Sequence, residues 1–274
     1  MSPIVDKSLI QIQFDGKLID TCVERKTGTK LHSESSPNGI VLTHGAGGDM
    51  NLPQLSALAQ LLAMDGWVVV RFTCKGLNLA YRIKVYMAVL EYVVSQIVDV
   101  KSWVIGGRSM GARAAVGVAN DIAGIPLDAK VAGVVCISYP LHPKGDTASL
   151  RDGPLKECVK SLCFISGTRD EMCEKCLLEK VLQNVKTFNV NWIDDANHGL
   201  SLRKKAKGDQ QTQIEQIMKE TIVNWALQLS QDRTKAVDVR DVDDKVIDEL
   251  GETKRKRDTS KTVKKVNRKT KKQK

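Results

Sequence analysis

Long apolar runs are missing from this chain of 274 residues. No stretch approaches the roughly 18 consecutive apolar residues that a bilayer-spanning helix needs. Residues 1–7 lack the apolar core of a secretory signal peptide. Seven cysteines, an odd number in a chain of this length, do not indicate a secreted disulfide framework. We therefore expect a protein of the cytoplasm, the nucleus or both, which has no membrane span and is not secreted.

Metal and cofactor signatures are also missing. The pair Cys173-x-x-Cys176 has no second pair and no Cys/His set at zinc spacing, so we predict no metal site. The glycine-rich loop at 44–48 lacks the Gly-Lys-Ser/Thr ending of a P-loop, since Asp49 and Met50 follow it. Met50 also stands where a dinucleotide-binding fingerprint needs a glycine. We therefore expect no cofactor.

Residues 1–250 carry no net charge, although the whole chain is basic. The formal charge is +10, from 42 Lys and Arg against 32 Asp and Glu. Residues 251–274 hold 12 of the basic residues and two of the acids, which leaves residues 1–250 with 30 of each sign. Nothing in residues 1–250 predicts a nucleic-acid surface. The tail at 251–274 has no apolar residue except two valines, so we expect it to be disordered.

The tail has predicted partners of its own. Lys254–Arg257 resembles a nuclear-localisation cluster, and a solubilising role suits these residues about equally well. Contact with a polyanion or an import receptor is the expected partnership, and the oligomeric state is left open. An acidic linker at 233–250 joins the tail to a domain at 1–232.

The most informative motif is the pentapeptide G-R-S-M-G at 107–111. It follows the apolar run 103–105 and precedes an alanine-rich stretch, and a strand, then G-x-S-x-G, then a helix is the context of a nucleophile elbow. We expect the sharp turn to strain the backbone of Ser109 and to lift its hydroxyl above the sheet edge. Gly107 and Gly111 allow the close approach of strand and helix. Ser109 is therefore the predicted nucleophile.

An acid and a base follow this motif in the chain. Asp170 comes just after a strand predicted at 161–167, and His198 comes after a strand predicted at 186–193. A serine hydroxyl needs an imidazole to take its proton, and the imidazole needs a carboxylate to hold one tautomer. Asp170 is preferred because it is the first carboxylate after its strand. The competing acids are Glu171, Asp194 and Asp195.

Oxyanion stabilisation is predicted from the loop at 44–48, which follows a strand at 39–43. Glycines let backbone amides of such a loop face the site, and we expect the donors to be the amides of Ala46 and Met110. His44 precedes the nucleophile, so it is a better candidate for shaping this loop and lining the site than for the base.

Other polar residues have more than one interpretation. Arg108 is a candidate to line the site, because it directly precedes the predicted nucleophile. Arg71 either lies beside the site or pairs with an acid. His142 is either a plain loop residue or part of the site lining, and His32 is interpreted as a loop residue.

Strands alternate with helices along the chain. Two strands, at 8–14 and 17–24, are predicted to form a hairpin about Asp15-Gly16. The layout predicts the α/β class, with an α/β-hydrolase fold, a mostly parallel central sheet and helices on both faces. Residues 141–160 are interpreted as loop, which leaves no room for a lid domain. Further strands are predicted at 39–43, 67–73, 102–106, 131–138, 161–167 and 186–193, and helices at 53–65, 81–98, 109–120, 174–183 and 210–229.

Six motifs are long enough to resemble one family specifically. They are T-H-G-A-G-G-D-M-N-L-P (43–53), R-F-T-C-K-G-L-N (71–78), G-G-R-S-M-G (106–111), C-I-S-Y-P-L-H (136–142), D-E-M-C-E-K (170–175) and A-N-H (196–198). They resemble an α/β-hydrolase-like family that also contains subunit 3 of the NSL histone acetyltransferase complex and is related to dienelactone-hydrolase-type enzymes. The resemblance covers residues 8–230 and implies this fold and a hydrolase, without a known substrate.

Three functions follow as hypotheses. The preferred one is a serine hydrolase that cleaves an ester, thioester or related acyl bond of a small acyl substrate through an acyl-enzyme on Ser109. A site without a lid suits small or surface-exposed acyl groups. The alternatives are a catalytically silent scaffold or interaction protein, nuclear by resemblance to the NSL subunit, and nucleic-acid binding through the tail.

Overall fold

The computed structural model describes residues 5–27, 39–203 and 210–232. The predicted linker at 233–250 and the predicted tail at 251–274 lie outside the described residues. His32 also lies outside them. The fold below is built from the three described ranges.

The first two strands form an antiparallel hairpin. Strand β1 runs Val5–Phe14 and β2 runs Lys17–Lys26. The two residues between them, Asp15 and Gly16, have φ angles of 51° and 69°. A two-residue hairpin turn of type I′ needs this left-handed backbone at both positions. The predicted hairpin is therefore confirmed, and both strands extend beyond their predicted ends.

One sheet of eight strands organises the fold, in the order β1-β2-β4-β3-β5-β6-β7-β8. The strands from β3 to β8 run parallel to one another, while the hairpin joins them through an antiparallel pairing of β2 with β4. The predicted α/β class and mostly parallel sheet are confirmed. The strands after the hairpin are β3 (Gly39–Thr43), β4 (Val68–Phe72), β5 (Trp103–Arg108), β6 (Val131–Ile137), β7 (Ser161–Gly167) and β8 (Phe188–Ile193).

Helices cover both faces of the sheet and divide the core into two parts. Apolar residues of α1 and α6 pack on one face, with Ile40 and Leu42 of β3. Apolar residues of α2, α3 and α5 pack on the other face, with Val41 of β3. Successive strand residues point to opposite faces, so a strand covered on both faces is apolar throughout. The helices are α1 (Pro53–Met64), α2 (Leu79–Gln96), α3 (Met110–Asp121), α4 (Gly153–Glu157), α5 (Lys175–Leu182) and α6 (210–232).

Local sequence explains where the first two of these helices begin. Helix α1 begins at Pro53, whose fixed φ angle suits the first turn of a helix. Helix α2 follows Asn78, whose side chain accepts a hydrogen bond of 3.0 Å from the amide of Tyr81. A cap of this kind stabilises a helix by about 1 kcal/mol.

Two short helices were not predicted. A 3-10 helix covers Pro126–Lys130, and α4 lies inside the segment at 141–160 that was interpreted as loop. Helix α4 has five residues, of which one, Leu155, is buried, so it carries no repeating apolar pattern that a sequence could reveal. The connection between β6 and β7 therefore holds one short helix and no lid domain. None of the described helices is long and apolar enough to cross a membrane.

Candidate active site

Ser109 forms the sharp turn between β5 and α3. Its φ and ψ angles are 53° and −116°, a region that residues with a side chain rarely occupy and that costs about 1–3 kcal/mol. Its amide donates a hydrogen bond of 2.8 Å to the carbonyl of Ile137 at the end of β6. Surrounding structure therefore holds the strained residue in place, with its hydroxyl above the carboxyl ends of the parallel strands.

Glycines on either side of Ser109 make this turn sterically feasible. A Cβ atom on Gly107 would lie 2.7 Å from the carbonyl oxygen of Thr43 and 2.7 Å from the backbone of Gly111. A Cβ atom on Gly111 would lie 2.6 Å from the Thr43 oxygen and 2.7 Å from the His44 oxygen. These contacts are with backbone atoms, which cannot move aside as a side chain can. Both positions therefore need glycine.

The structure brings Ser109, His198 and Asp170 into one hydrogen-bonded line. Nε2 of His198 lies 2.9 Å from Oγ of Ser109, and Nδ1 of His198 lies 2.9 and 2.8 Å from the two carboxylate oxygens of Asp170. A carboxylate only accepts hydrogen bonds, so the imidazole carries its proton on Nδ1. Nε2 is then free to accept the proton of the serine hydroxyl, as a general base requires.

Asp170 is held by the turn that follows β7. Its side chain is fully buried, and its Oδ1 accepts a hydrogen bond of 2.8 Å from the amide of Met172. The competing acids have other partners. Glu171 pairs with Lys144, Asp195 pairs with Arg169, and Asp194 accepts a hydrogen bond from Thr168. Asp170 is the acid that faces His198.

His198 lies on a tightly anchored loop after β8. A Cβ atom on Gly167 would lie 2.1 Å from the carbonyl oxygen of Ala196, so this loop packs directly on the end of β7. Asn197 Oδ1 accepts hydrogen bonds from the amides of Gly199 and Ser201. These contacts fix the backbone on both sides of the imidazole, which is needed because an imidazole on a loose loop would rarely meet the serine.

Arg108 contacts the same loop from the elbow. Its Nη2 donates a hydrogen bond of 3.0 Å to the carbonyl oxygen of His198. Burial lowers the pKa of Arg108, and the nearby charge of Asp170 opposes this effect. The predicted candidate for lining the site is thus half-buried beside it, where its charge lies close to that of Asp170.

His44 is buried at the start of the loop that was predicted to stabilise an oxyanion. The amide of Cys74 donates to its Nε2 at 3.0 Å, so the ring proton lies on Nδ1, which is 3.3 Å from the carbonyl oxygen of Gly47. Burial, helped by the charge of Arg82, lowers the pKa of His44 and favours the neutral ring. Its role in shaping the loop stays a prediction.

The two predicted oxyanion donors lie next to the elbow. Met110 is the first residue of α3, so its amide has no acceptor within the helix. Ala46 is exposed within the loop at 44–48, and a Cβ atom on Gly45, the residue before it, would lie 3.3 Å from Cβ of Ser109. The loop therefore starts against the nucleophile position. The donor role of both amides stays a prediction.

Two residues with open assignments are buried and bind segments beside the site. Arg71 is buried and pairs with Glu24 of the hairpin. His142 is also buried, and its Nε2 accepts a hydrogen bond of 3.2 Å from the amide of Glu174 while its own amide donates to Met172. His142 thus supports the segment that holds Asp170.

Sequence reasoning missed Arg82 of α2. Its side chain is buried and its Nη1 donates a hydrogen bond of 3.1 Å to the carbonyl oxygen of His44. Residues 82, 85, 86, 89 and 93 are all buried and follow the helical spacing of a core-facing stripe. An arginine within that stripe was the available signal, because a buried charge needs a specific partner.

Metal-binding groups are not found in the described part of the chain, where no three His, Cys, Asp or Glu residues cluster suitably. Cys173 is buried and Cys176 is exposed. Burial raises the pKa of the Cys173 thiol to about 12, so it stays protonated at neutral pH.

The sheet order, the elbow after β5 and the loops after β7 and β8 together define an α/β hydrolase. Residues 36–226 match the family model described as an alpha/beta hydrolase domain. The chain belongs to this family. The predicted α/β-hydrolase fold is thereby confirmed.

Solved structures of several bacterial proteins share the fold. An alpha-beta serine hydrolase homologue from Coxiella burnetii is 17% identical, with a TM-score of 0.61 over 78% of this chain and 96% of that chain. A dienelactone hydrolase from Anabaena variabilis is 14% identical, with a TM-score of 0.62 over 82% of this chain and 99% of that chain. XC6422 from Xanthomonas campestris, an α/β serine hydrolase without a lid, is 14% identical, with a TM-score of 0.58 over 81% of this chain and 95% of that chain.

Proposed function

We propose that this protein is a serine hydrolase that cleaves ester, thioester or related acyl bonds of small substrates. The observation that carries the proposal is the unbroken line of hydrogen bonds from Ser109 through His198 to Asp170. A serine, a base and an orienting acid in this geometry are what acyl transfer requires. Membership of the α/β-hydrolase family supports the reaction class.

The first half of the reaction forms an acyl-enzyme. Oγ of Ser109 attacks the acyl carbon while its proton passes to Nε2 of His198. Asp170 stabilises the imidazolium that results. The carbonyl oxygen becomes an oxyanion, which the amides of Met110 and Ala46 stabilise. His198 then gives its proton to the departing alcohol or thiol, and the acyl group stays on Ser109.

The second half releases the acid. A water molecule gives a proton to His198 and attacks the acyl carbon, and the oxyanion forms again at the same amides. When the bond to Oγ breaks, His198 returns its proton to Ser109. The acid leaves and the starting state is restored.

The short connection between β6 and β7 supports small or surface-exposed acyl groups as substrates. In this connection α4 contributes five residues, so no lid domain encloses the serine there. We also propose that the chain belongs to the branch of the α/β-hydrolase family that contains testis-expressed protein 30 and NSL subunit 3. The motifs at 43–53 and 106–111 support this placement.

Labelling with a fluorophosphonate probe tests the proposed function. The wild-type chain should be labelled and should hydrolyse p-nitrophenyl acetate, while Ser109→Ala should do neither. Ser102→Ala is a matched control, since Ser102 precedes β5 and does not belong to the triad. A folded wild-type chain that takes no label would contradict the proposal and favour a catalytically silent protein.

A further inference from the structure

Arg82 carries a buried charge close to the proposed active site. It lies in the first turn of α2, and 1% of its surface is exposed. Arginine keeps its proton in proteins, even though burial lowers the pKa of Arg82. A buried charge is strongly unfavourable unless it is paired and hydrogen-bonded. The partners of Arg82 therefore decide what the residue does.

Arg71 shows how this fold compensates a buried arginine. It pairs with the carboxylate of Glu24 through Nε and Nη2. Arg82 differs, because within the described residues no carboxylate lies within salt-bridge distance of it. Its Nε donates a hydrogen bond of 2.8 Å to the carbonyl oxygen of Gly76, and its Nη1 donates one of 3.1 Å to the carbonyl oxygen of His44. Its Nη2 is buried without a hydrogen-bond partner in the described part of the chain.

The His44 carbonyl joins Arg82 to the elbow. The same oxygen would lie 2.7 Å from a Cβ atom on Gly111, two residues after the proposed nucleophile. The guanidinium is thus one carbonyl group away from the first turn of α3. A trans peptide points its carbonyl and its amide in opposite directions. Holding the His44 oxygen therefore fixes the plane of the first peptide of the loop at 44–48.

Two anchors enclose the predicted donor of this loop. Arg82 holds the backbone at His44. The His44 ring lies with Nδ1 near the carbonyl oxygen of Gly47, and its Nε2 accepts a hydrogen bond from the amide of Cys74. Ala46 lies between the two anchored positions. A preorganised donor contributes to catalysis because it needs no rearrangement when the oxyanion forms.

The charges around the site are unequal. The charge of Asp170 lies close to that of Arg108, whereas Arg82 has no carboxylate of its own among the described residues and the lowered pKa of His44 favours its neutral ring. Attack by Ser109 adds a negative charge to the substrate oxygen. A cation behind the loop that has no carboxylate within salt-bridge distance favours that charge in the transition state, since interactions are stronger in a dry interior than in water, and the exposed Asp49 carboxylate near His44 opposes this effect.

We infer that Arg82 is a positioning residue for the proposed hydrolysis, which fixes the loop at 44–48 and supplies a positive charge behind it. The inference rests on the proposed function. It adds to that function a buried positive charge, which stabilises the oxyanion in addition to the backbone amides. Arg82 acts through the backbone of His44 and does not touch the substrate. Most of its effect should therefore appear in the oxyanion-forming step.

Three substitutions separate the two parts of this inference. Arg82→Met removes charge and donors, Arg82→Gln removes the charge and keeps an amide donor, and Arg82→Lys keeps the charge. Arg82→Met should lower kcat for p-nitrophenyl acetate by about 10–100-fold with KM changed by less than about threefold, as expected when transition-state stabilisation is lost. Arg82→Lys should recover most of that loss, and Arg82→Gln should not.

Two further readouts distinguish this role from a purely structural one. The affinity for a trifluoromethyl ketone, which forms an oxyanion on the serine, should fall in parallel with kcat across the three variants. Amide hydrogen exchange of the segment 44–50 should accelerate in Arg82→Met. Arg151→Met is the control: the guanidinium it removes donates a hydrogen bond of 3.2 Å to the carbonyl of Pro140, in the connection between β6 and β7, so its melting temperature should fall while its kcat stays within about threefold of wild type.

These experiments distinguish failure of the inference about Arg82 from failure of the proposed hydrolase function. A wild-type chain that takes no fluorophosphonate label refutes the hydrolase, and exchange of 44–50 still decides whether Arg82 holds the loop. A labelled wild type combined with folded Arg82 variants of unchanged kcat and unchanged exchange overturns the inference. Should Arg82→Met not fold, a Gln variant as active as the Lys variant overturns the role of the charge.

Discussion

The amide of Gly106 donates a hydrogen bond of 2.7 Å to the phenol oxygen of Tyr86. The same oxygen lies 2.5 Å from the carbonyl oxygen of Val41 and 2.8 Å from that of Gly106. One buried hydroxyl of α2 therefore joins β3 to β5 directly before the elbow. Burial raises the pKa of Tyr86, so its proton remains available for donation to one of the two carbonyls.

Replacing Tyr86 by Phe should destabilise the fold. The substitution leaves the buried Gly106 amide without its acceptor, which costs about 1–3 kcal/mol. Urea unfolding should show this loss, with Tyr92→Phe on the exposed side of the same helix close to wild type. Equal stability of the two variants would contradict the role assigned to the hydroxyl.

Glycine at position 109 should make the protein more stable than alanine does. Both substitutions remove the proposed nucleophile, but only glycine accepts φ 53° and ψ −116° without strain. We expect Ser109→Gly to exceed Ser109→Ala by roughly 1 kcal/mol in the free energy of unfolding. Ser95, an exposed residue of α2, should show the opposite order, since glycine costs about 1 kcal/mol relative to alanine in a helix. The same order at both positions would argue against strain at the elbow.

A methyl group at position 111 should disrupt the elbow. Its Cβ would lie 2.6 Å from the carbonyl oxygen of Thr43, and overpacking against backbone costs about 1–3 kcal/mol or more. Gly111→Ala should therefore unfold at lower temperature and lose fluorophosphonate labelling. Gly153→Ala is the control, because nothing lies within 4 Å of its added Cβ. A Gly111→Ala protein that melts and labels like wild type would show that the turn tolerates a side chain.

Removing the charge of Asp170 should reduce activity far more than stability. An asparagine side chain at this position cannot hold the imidazole in the required tautomer, so Asp170→Asn should lower kcat by roughly 10³–10⁴-fold. The matched control is Asp195→Asn, because Asp195 pairs with Arg169 outside the hydrogen-bonded line. Steady-state hydrolysis and thermal melting measure the two effects. Comparable activity of the two variants would mean that Asp170 is not the orienting acid.

Acid should weaken the fold through His44. Burial lowers its pKa from 6.5 in the folded state, so between the lowered value and 6.5 the unfolded chain binds more protons than the folded one. Stability attributable to His44 is therefore fully present above pH 6.5 and is lost as pH falls toward the folded-state pKa. Urea unfolding from about pH 5 to 8 should show a shallower pH dependence for His44→Gln than for wild type. Parallel curves would contradict the neutral, buried ring.

Local patterns were enough to predict the hairpin, the order of strands and helices, and the elbow. Each depends on residues adjacent in sequence, such as Asp15-Gly16 at the turn and glycines on both sides of Ser109. The geometry of the candidate site depends on more than that. The partner of Arg71 stayed open because the sequence does not reveal that β2 pairs with β4, which brings Glu24 next to Arg71.

Arg82 and α4 illustrate the two remaining kinds of failure. The contact of Arg82 with His44 joins residues that lie 38 positions apart, and it depends on how a loop turns, which no periodicity encodes. Helix α4 is too short for a periodic pattern, and the packing of Leu155 stabilises it. The unpredicted features are those that the tertiary structure imposes on short or polar segments.

The line from Ser109 to His198 has a consequence for how the protein matures. Ser109 follows β5, Asp170 follows β7 and His198 follows β8, so the serine and the imidazole that bond to each other are 89 positions apart. Contacts of such long range form late in folding, after the loop-closure entropy has been overcome. Under the proposed function, Ser109 therefore has no base until β8 is paired, and a chain still being synthesised or refolded carries an inert serine.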